Sequence, residues 1–421
     1  MTTVDVYDGL RREVLASIET RVDAADDPVA VRAITEMIVD AYEMRARRGD
    51  AAPLADADEM VTRIVRSVAD LGPLSDLLAR SDVEEIFIEG SRVSYLDASG
   101  RLRGLASPTS EDENRQIVER LLAPTDRHLD AKHPIVQARV LDGSARLTAA
   151  IPPIADRISA TLRRYTVRHV TLDDLVRREA ISPNAAMFLG ATMRIRSRVA
   201  ISGEPGAGKT TLLAAMLAAA PTEHCVRSCE EIRELSVPLV HGGYYETRPP
   251  GLDGTGDIDL RALVKFCLAM RPDRIVVGEV RGAEAFELTR AVNAGCGFLC
   301  TVHANGAREA LSALVNAALM AGENVTESIV RRVYAQSLDL VVHVDRSDSS
   351  GEAVRREVVE ITALSPSLGD DFTCEPVFVR SGPRRPLEWT GTVPERLADR
   401  IDRALPDGES LRRLLERRSA V

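Results

Sequence analysis

Residues 203–210 read Gly203-Glu204-Pro205-Gly206-Ala207-Gly208-Lys209-Thr210, a G-x-x-x-x-G-K-[ST] run without a mismatch. Glycine tolerates backbone angles closed to other residues, so such a run can curl until successive amides face one anion. The apolar stretch RVAIS precedes it and the helix-forming stretch KTTLLAAMLAAA follows, so a helix N-terminus brings its positive end to the same point. A polyphosphate suits that chemistry. Lys209 reaches the β- and γ-phosphates, and the hydroxyl of Thr210, beside Thr211, can hold magnesium. ATP or GTP with Mg2+ is the implied ligand.

A phosphate cradle by itself hydrolyses nothing. Turnover needs a carboxylate that orients water and an acid that holds the metal's water shell. In an open parallel sheet such groups stand at the carboxyl ends of strands. Three strand ends qualify: Glu230-Glu231 after CVRSC, Glu279 after RIVVG, and His303 after FLCTV. Gly278 occupies the position where a Walker B strand usually carries Asp, and the Glu230-Glu231 pair is the natural substitute for that acid. His303 alone reads either as a catalytic group or as a hydrogen-bonded core histidine. Cys296, Cys300 and His303 invite a zinc reading, but a strand alternates faces, so His303 points away from the two thiols. Buried structural thiols are expected there, with no disulfide framework.

These residues need a scaffold, and the chain supplies its grammar in four parts. Over 1–75, VYDGLRREVLASIETRV, VRAITEMIVDAYEMRARR and MVTRIVRSVADLGPL carry apolar residues at three-to-four spacing, which predicts helices. Over 76–165, VEEIFIEG with RVSYLDASGRLRG, and VQARVLDGSARLTAAIPP around Asp142-Gly143, predict hairpins beside the helix ENRQIVERLLAP, a small α+β domain. Over 166–345 strands at 198–202, 225–229, 274–278, 298–302 and 338–344 alternate with helices at 208–220, 258–270, 282–294 and 307–321. Such alternation predicts a parallel sheet covered by helices, an α/β fold. Over 346–421, EAVRREVVEITAL predicts a hairpin and PERLADRIDRALPDGESLRRLLERR an amphipathic tail.

Composition narrows the partners. The 421 residues carry a net charge of −10, with 45% hydrophobic and 28% charged residues, an ordinary globular balance. Acidity together with only 4% aromatics and the single Trp389 argues against a strand-binding nucleic-acid motor, so no nucleic acid is expected. No apolar stretch approaches the ~20 residues that span a bilayer, and the acidic start MTTVDVYDGLRREVL does not read as a signal peptide. The expectation is a cytoplasmic chain.

The segments CEEIREL, YYETRPP, LAMRPDRIVVGEVRGAEAFELTRAVNAG and TVHANGAREALSAL together resemble the secretion ATPases of type II and type IV machines, with a Walker A run, an acidic "Asp box", an atypical Walker B ending G-E-V-R and a "His box". LGPLSDLL, DVEEIFIEG, QARVLDG and RLTAAIPP extend the likeness to the CpaF-like branch that powers tight-adherence (Tad/Flp) pili. The resemblance spans roughly residues 68–345. Two departures stand out: Glu230-Glu231 where the family usually has Glu-Asp, and Gly282-Ala283-Glu284-Ala285 where it often has Gly-Gly-Glu-Ala.

The resemblance implies a RecA-like P-loop motor domain behind a helical segment and a PAS-like α+β domain. It implies a homo-hexamer that hydrolyses ATP to drive pilus assembly or secretion, docked through a polytopic inner-membrane platform protein at the cytoplasmic face. Glu230 would orient water, Glu279 would hold the metal side, and His303 would sense the γ-phosphate. Arg146, Arg163 and Arg248 would reach the phosphates from outside the P-loop core. A conjugation-type secretion ATPase shares the same motor pattern, and a nucleic-acid-stimulated motor or a non-hydrolysing switch are the other classes.

Overall fold

Apolar residues spaced along one face gather the N-terminal helices. The structure is a computed structural model that describes residues 3–20, 27–107, 109–165, 170–251, 254–322, 324–347, 354–366 and 371–419, and it divides into two compact units, Met1–Thr166 and Val167–Val421. In the first, α1 (Thr3–Glu19), α2 (Pro28–Arg47) and α3 (Ala57–Ala69) bury Tyr7, Leu10, Val14, Ile34, Ile38 and Ile64 against one another. Asp27 and Asp56 cap α2 and α3 by accepting backbone N–H groups of Val29 and Glu59. The short α4 (Leu74–Ala79) then leads to β1 (Val83–Glu89), β2 (Arg92–Asp97), β3 (Leu102–Gly104), α5 (Glu111–Leu122), β4 (Ile135–Val140), β5 (Ala145–Ala150) and β6 (Ser159–Arg164).

Those strands form an antiparallel sheet in the order β3-β2-β1-β6-β5-β4. Alternation dictates its core: Ile86, Ile88, Leu147, Ala149, Ala160 and Leu162 turn to the face that α5 covers with Ile117, Val118 and Leu121. The β4–β5 turn holds Leu141, Asp142 and Gly143 at positive φ, the conformation that Asp-Gly favours. Tyr7 Oη donates to Glu113 Oε1 at 2.6 Å and Arg11 Nε to Ser67 Oγ at 2.8 Å, buried bonds that join α1 to α5 and α3.

The second unit runs α6 (Leu172–Arg177), α7 (Pro183–Arg194), β7 (Arg198–Ser202), α8 (Lys209–Ala218), β8 (Val226–Glu230), β9 (Gly242–Glu246), α9 (Leu260–Ala269), β10 (Arg274–Val277) and α10 (Glu284–Asn293). It continues with β11 (Gly297–Val302), α11 (Ala307–Leu319), α12 (Glu327–Ser337), β12 (Leu340–Ser347), β13 (Arg355–Ser365), β14 (Thr373–Arg380), β15 (Leu387–Trp389), α13 (Glu395–Asp402) and α14 (Leu411–Ser419). Among the described residues its strands make one sheet in the order β15-β14-β13-β12-β7-β11-β10-β8-β9. Strands β12, β7, β11, β10, β8 and β9 run parallel, and β13 to β15 run antiparallel.

The strands expected within 166–345 do run parallel, and the sheet is mixed because the antiparallel β13–β15, from the C-terminal segment, extend it beyond β12. Within EAVRREVVEITAL, expected to be a hairpin, the residues from Arg355 onward belong to one strand, β13, and the first two lie outside the described residues. Its antiparallel partner is β12, and the connection falls on 348–353, outside the described residues. Alternation could not reveal this, because a strand covered on both faces carries apolar residues on both. Helices cover both faces. Val199, Ile201, Leu299 and Val342 pack under α7, α8, α13 and α14, whereas Ala200, Phe298, Cys300 and Val341 pack under α9, α10, α11 and α12. Among the described residues no helix is long and apolar enough to cross a membrane.

Candidate active site

The parallel order brings three carboxyl ends together. Ser202 of β7 lies in register with Val302 of β11, and Cys300 of β11 with Val277 of β10, so the residues just beyond each strand converge. The loop from Gly203 to Gly208 leaves β7 and enters α8 at Lys209, with Gly206 and Gly208 at φ of +76° and +96°, angles that favour glycine. Gly203 is demanded by space: a Cβ built there would lie 2.3 Å from the Val344 carbonyl oxygen. Glu204 and Pro205 are exposed at the tip, Ala207 is buried, and Thr210 and Thr211 occupy the first turn of α8.

Lys209 is almost wholly buried, and its ammonium has three acceptors: Gly203 O and Glu204 O at 2.9 Å each, and His303 Nδ1 at 3.1 Å. The far ring nitrogen, Nε2 of His303, lies 2.7 Å from Glu279 Oε1. Since Nδ1 accepts from the lysine, the ring proton sits on Nε2 and is donated to the carboxylate. A single imidazole thus joins the P-loop cation to the Walker B acid. His303 is exposed, so it is not a core histidine.

Glu279 is gripped from its other side by Arg281, whose Nε and Nη2 reach Oε1 and Oε2 at 2.5 and 2.9 Å. Partial burial works to raise this carboxyl's pKa. The hydrogen bonds and charge of Arg281, with His303 and Lys209, outweigh it and hold the group below its ordinary range. Arg281 also pairs with the exposed Glu231 at 3.5 Å. The sequence reading missed Arg281, although the signal was present: residues i and i+2 past a strand end can share a side, and G-E-V-R prints the pair.

Glu230 and Glu231 part company. Glu230 ends β8 with its side chain buried, accepting the backbone N–H groups of Glu234 and Leu235 at 3.1 and 3.2 Å. Burial pushes its pKa up to about 7, against the lowering effect of those two bonds. It also explains the glycine in the Walker B position. A Cβ on Gly278 would lie 2.7 Å from Glu230 Cγ, so the carboxylate occupies the space that a side chain at 278 would fill.

The expected arginines belong to other segments. Arg146 on β5 and Arg163 on β6 are register partners, flanked by Arg139 of β4 and by Glu85 of β1, which lies 3.7 Å from Arg163. They form a row across one face of the first unit's sheet, and Arg139 is a member that the sequence reading did not pick. Arg248 is exposed beyond β9, its backbone bridging Ile258. Two further arginines, Arg346 of β12 and Arg356 of β13, lie against the P-loop itself. The six cysteines are free, and Cys229, Cys267, Cys296 and Cys300 are buried.

The family described as "type II/IV secretion system protein" matches residues 69–366. A putative conjugal transfer protein of Mycobacterium tuberculosis (strain H37Rv) is 32% identical over 330 residues, covering 76% of this chain and 91% of the relative. The conjugal transfer protein TrbB of Rhizobium radiobacter is 29% identical over 306 residues, covering 71% and 90%. Among solved structures, the pilus retraction motor PilT with bound ADP superposes with a TM-score of 0.51 at 17% identity, over 69% of this chain and 82% of that one. At that identity the likeness speaks for the fold alone.

The contact at 278 gives a direct check. Gly278→Ala forces a methyl into Glu230, and overpacking of this kind costs about 1–3 kcal/mol. Thermal unfolding of the variant is expected to show that loss, and an unchanged midpoint would mean that Glu230 does not hold the place described.

Proposed function

The chain belongs to the type II/IV secretion system protein family, and on that premise we propose that it is an ATPase that hydrolyses ATP to drive a pilus-assembly or secretion machine. The observation that carries this reading is the Lys209–His303–Glu279 chain. It links the group that would hold the β- and γ-phosphates to the acid that would hold the metal, which a simple nucleotide-binding turn does not need.

The residues have separate tasks. Backbone amides of Gly203 to Thr211 and the ammonium of Lys209 bind the phosphates. The oxygen donors of Thr210 and Glu279 fit magnesium, because a carboxylate offers about four lone-pair positions and Arg281 and His303 occupy three of those on Glu279. Bound there through water, magnesium would neutralise charge on the phosphates. Glu230 accepts the proton of the attacking water, and its raised pKa suits a base working near neutral pH. His303 senses the γ-phosphate from between its two partners. Arg146, Arg163 and Arg248 supply further charge to the phosphates.

We read the assembly as a homo-hexamer of subunits with a helical region (1–75), a PAS-like domain (76–165), a RecA-like motor (166–345) and a C-terminal segment (346–421). It would work at the cytoplasmic face of the inner membrane, held by a polytopic platform protein. The Tad-type pilus reading rests on the motifs of the first and second units. A conjugation-type secretion ATPase is the second reading, favoured by relatives that are named conjugal transfer proteins.

Magnesium-dependent phosphate release from ATP by the full chain tests the activity. Lys209→Ala is expected to abolish it with the fold retained, because a point charge on the β/γ-phosphates is lost; wild-type turnover in that variant refutes the assignment. The pH profile tests the base. Glu230 works only when ionised, so turnover is expected to fall as pH drops below about 7. Glu230→Gln is expected to run ~10²–10⁴-fold slower without that acid limb. An unchanged limb in the variant would move the role to another acid.

A further inference from the structure

The β12–β13 pair presses on the P-loop at each of its glycines. Val344 O of β12 leaves no room for a side chain at Gly203. Arg356 Nε of β13 donates to Gly206 O at 2.9 Å, and a Cβ on Gly206 would lie 3.1 Å from Arg346 Nη1. The Arg356 side chain also passes Gly208, with its Cβ and Cδ at 3.8 Å from a Cβ built there. Arg346 and Arg356 are register partners, two cations set side by side on adjacent strands.

Arg356 is held on a rigid support. Val358 N donates to Ala180 O at 2.9 Å, which ties β13 to the turn between α6 and α7. The buried Arg380 joins the same parts: its Nε donates to Val358 O at 3.0 Å, its Nη2 to Ala180 O at 3.2 Å, and its Nη1 lies 3.3 Å from the buried Glu357.

Sheet order assigns a direction to this wall. His303 and Glu279 follow β11 and β10 on one side of β7, whereas β12 and β13 lie on the other. If the γ-phosphate faces His303 and Glu279, as the proposed function requires, then the nucleoside end of the ligand faces β12 and β13. A cavity of about 360 Å³ opens on that side, between Gly208 of the loop with Thr211 and Leu212 of α8 and Val344 of β12 with Arg356 and Val358 of β13.

We propose that Arg356, with Arg346 beside it, is a positioning residue of the nucleotide site, fixing the P-loop at Gly206 and supplying positive charge to the nucleoside-diphosphate part of the ligand. This rests on the nucleotide-binding reading above. Charge on that part is common to ADP and ATP, so its loss weakens both alike, whereas a γ-side residue distinguishes them.

Titration of the full chain with fluorescent N-methylanthraniloyl-ADP and -ATP tests this. Arg356→Gln is expected to weaken both ligands about tenfold and equally, the scale of one charged hydrogen bond. Arg356→Lys, which keeps the charge, is expected to recover to within about threefold of wild type, a rescue that a purely structural role would not give. Arg346→Ala leaves the Arg356–Gly206 bond in place and carries the same test of equal loss if Arg356→Gln fails to fold. Unaltered affinities, a loss confined to the ATP ligand, or Arg356→Lys no better than Arg356→Gln overturns the proposal. A wild type that binds neither ligand overturns the parent reading and this one together, whereas wild-type binding with unaltered variants overturns this one alone.

Discussion

One imidazole shared between an ammonium and a carboxylate organises the second unit's site. His303 can accept from Lys209 and donate to Glu279 only if β7, β10 and β11 end at one level, and the parallel register of Ser202 with Val302 and of Val277 with Cys300 enforces that level. The sheet supplies it through strands buried on both faces, whose apolar residues alternate between two helical layers. Packing energy spent far from the loop thus fixes a contact of about 3 Å within it.

The electrostatics follow from the same arrangement. Two acids at neighbouring strand ends are driven in opposite directions. Glu279 is held below its ordinary range by Arg281, His303 and Lys209 in spite of partial burial, whereas Glu230, buried and accepting backbone N–H groups, is pushed up to about 7. Such a split lets one carboxylate hold charge permanently while another takes and returns a proton. Gly278 is the condition for this: an Asp at that position would collide with Glu230, so the atypical Walker B strand and the buried acid are two faces of one packing decision.

Much of this was legible in the residues. The P-loop, the strand–helix alternation and the three strand ends carrying Glu230, Glu279 and His303 could be read, because glycine spacing and apolar runs report directly on local backbone. The mixed character of the sheet could not. The pairing of β13 with β12 is encoded by no local pattern, and Arg356 reaches Gly206 over 150 residues of sequence. The row of Arg139, Arg146 and Arg163 was legible only in part, since it arises from cross-strand register and not from spacing. The difference between Glu230 and Glu231 was likewise hidden, because adjacent residues look equivalent until one is buried.

In the proposed function His303 couples phosphate binding to the metal-side acid. Steady-state phosphate release from ATP, compared between the full wild-type chain and His303→Ala with magnesium present, tests it most directly. Magnesium-dependent turnover is expected in the wild type and a loss of at least ~10²-fold in the variant, on the scale of removing a positioned proton-transfer or charge-stabilising group, with ADP still bound. Turnover in His303→Ala equal to that of the wild type would contradict it.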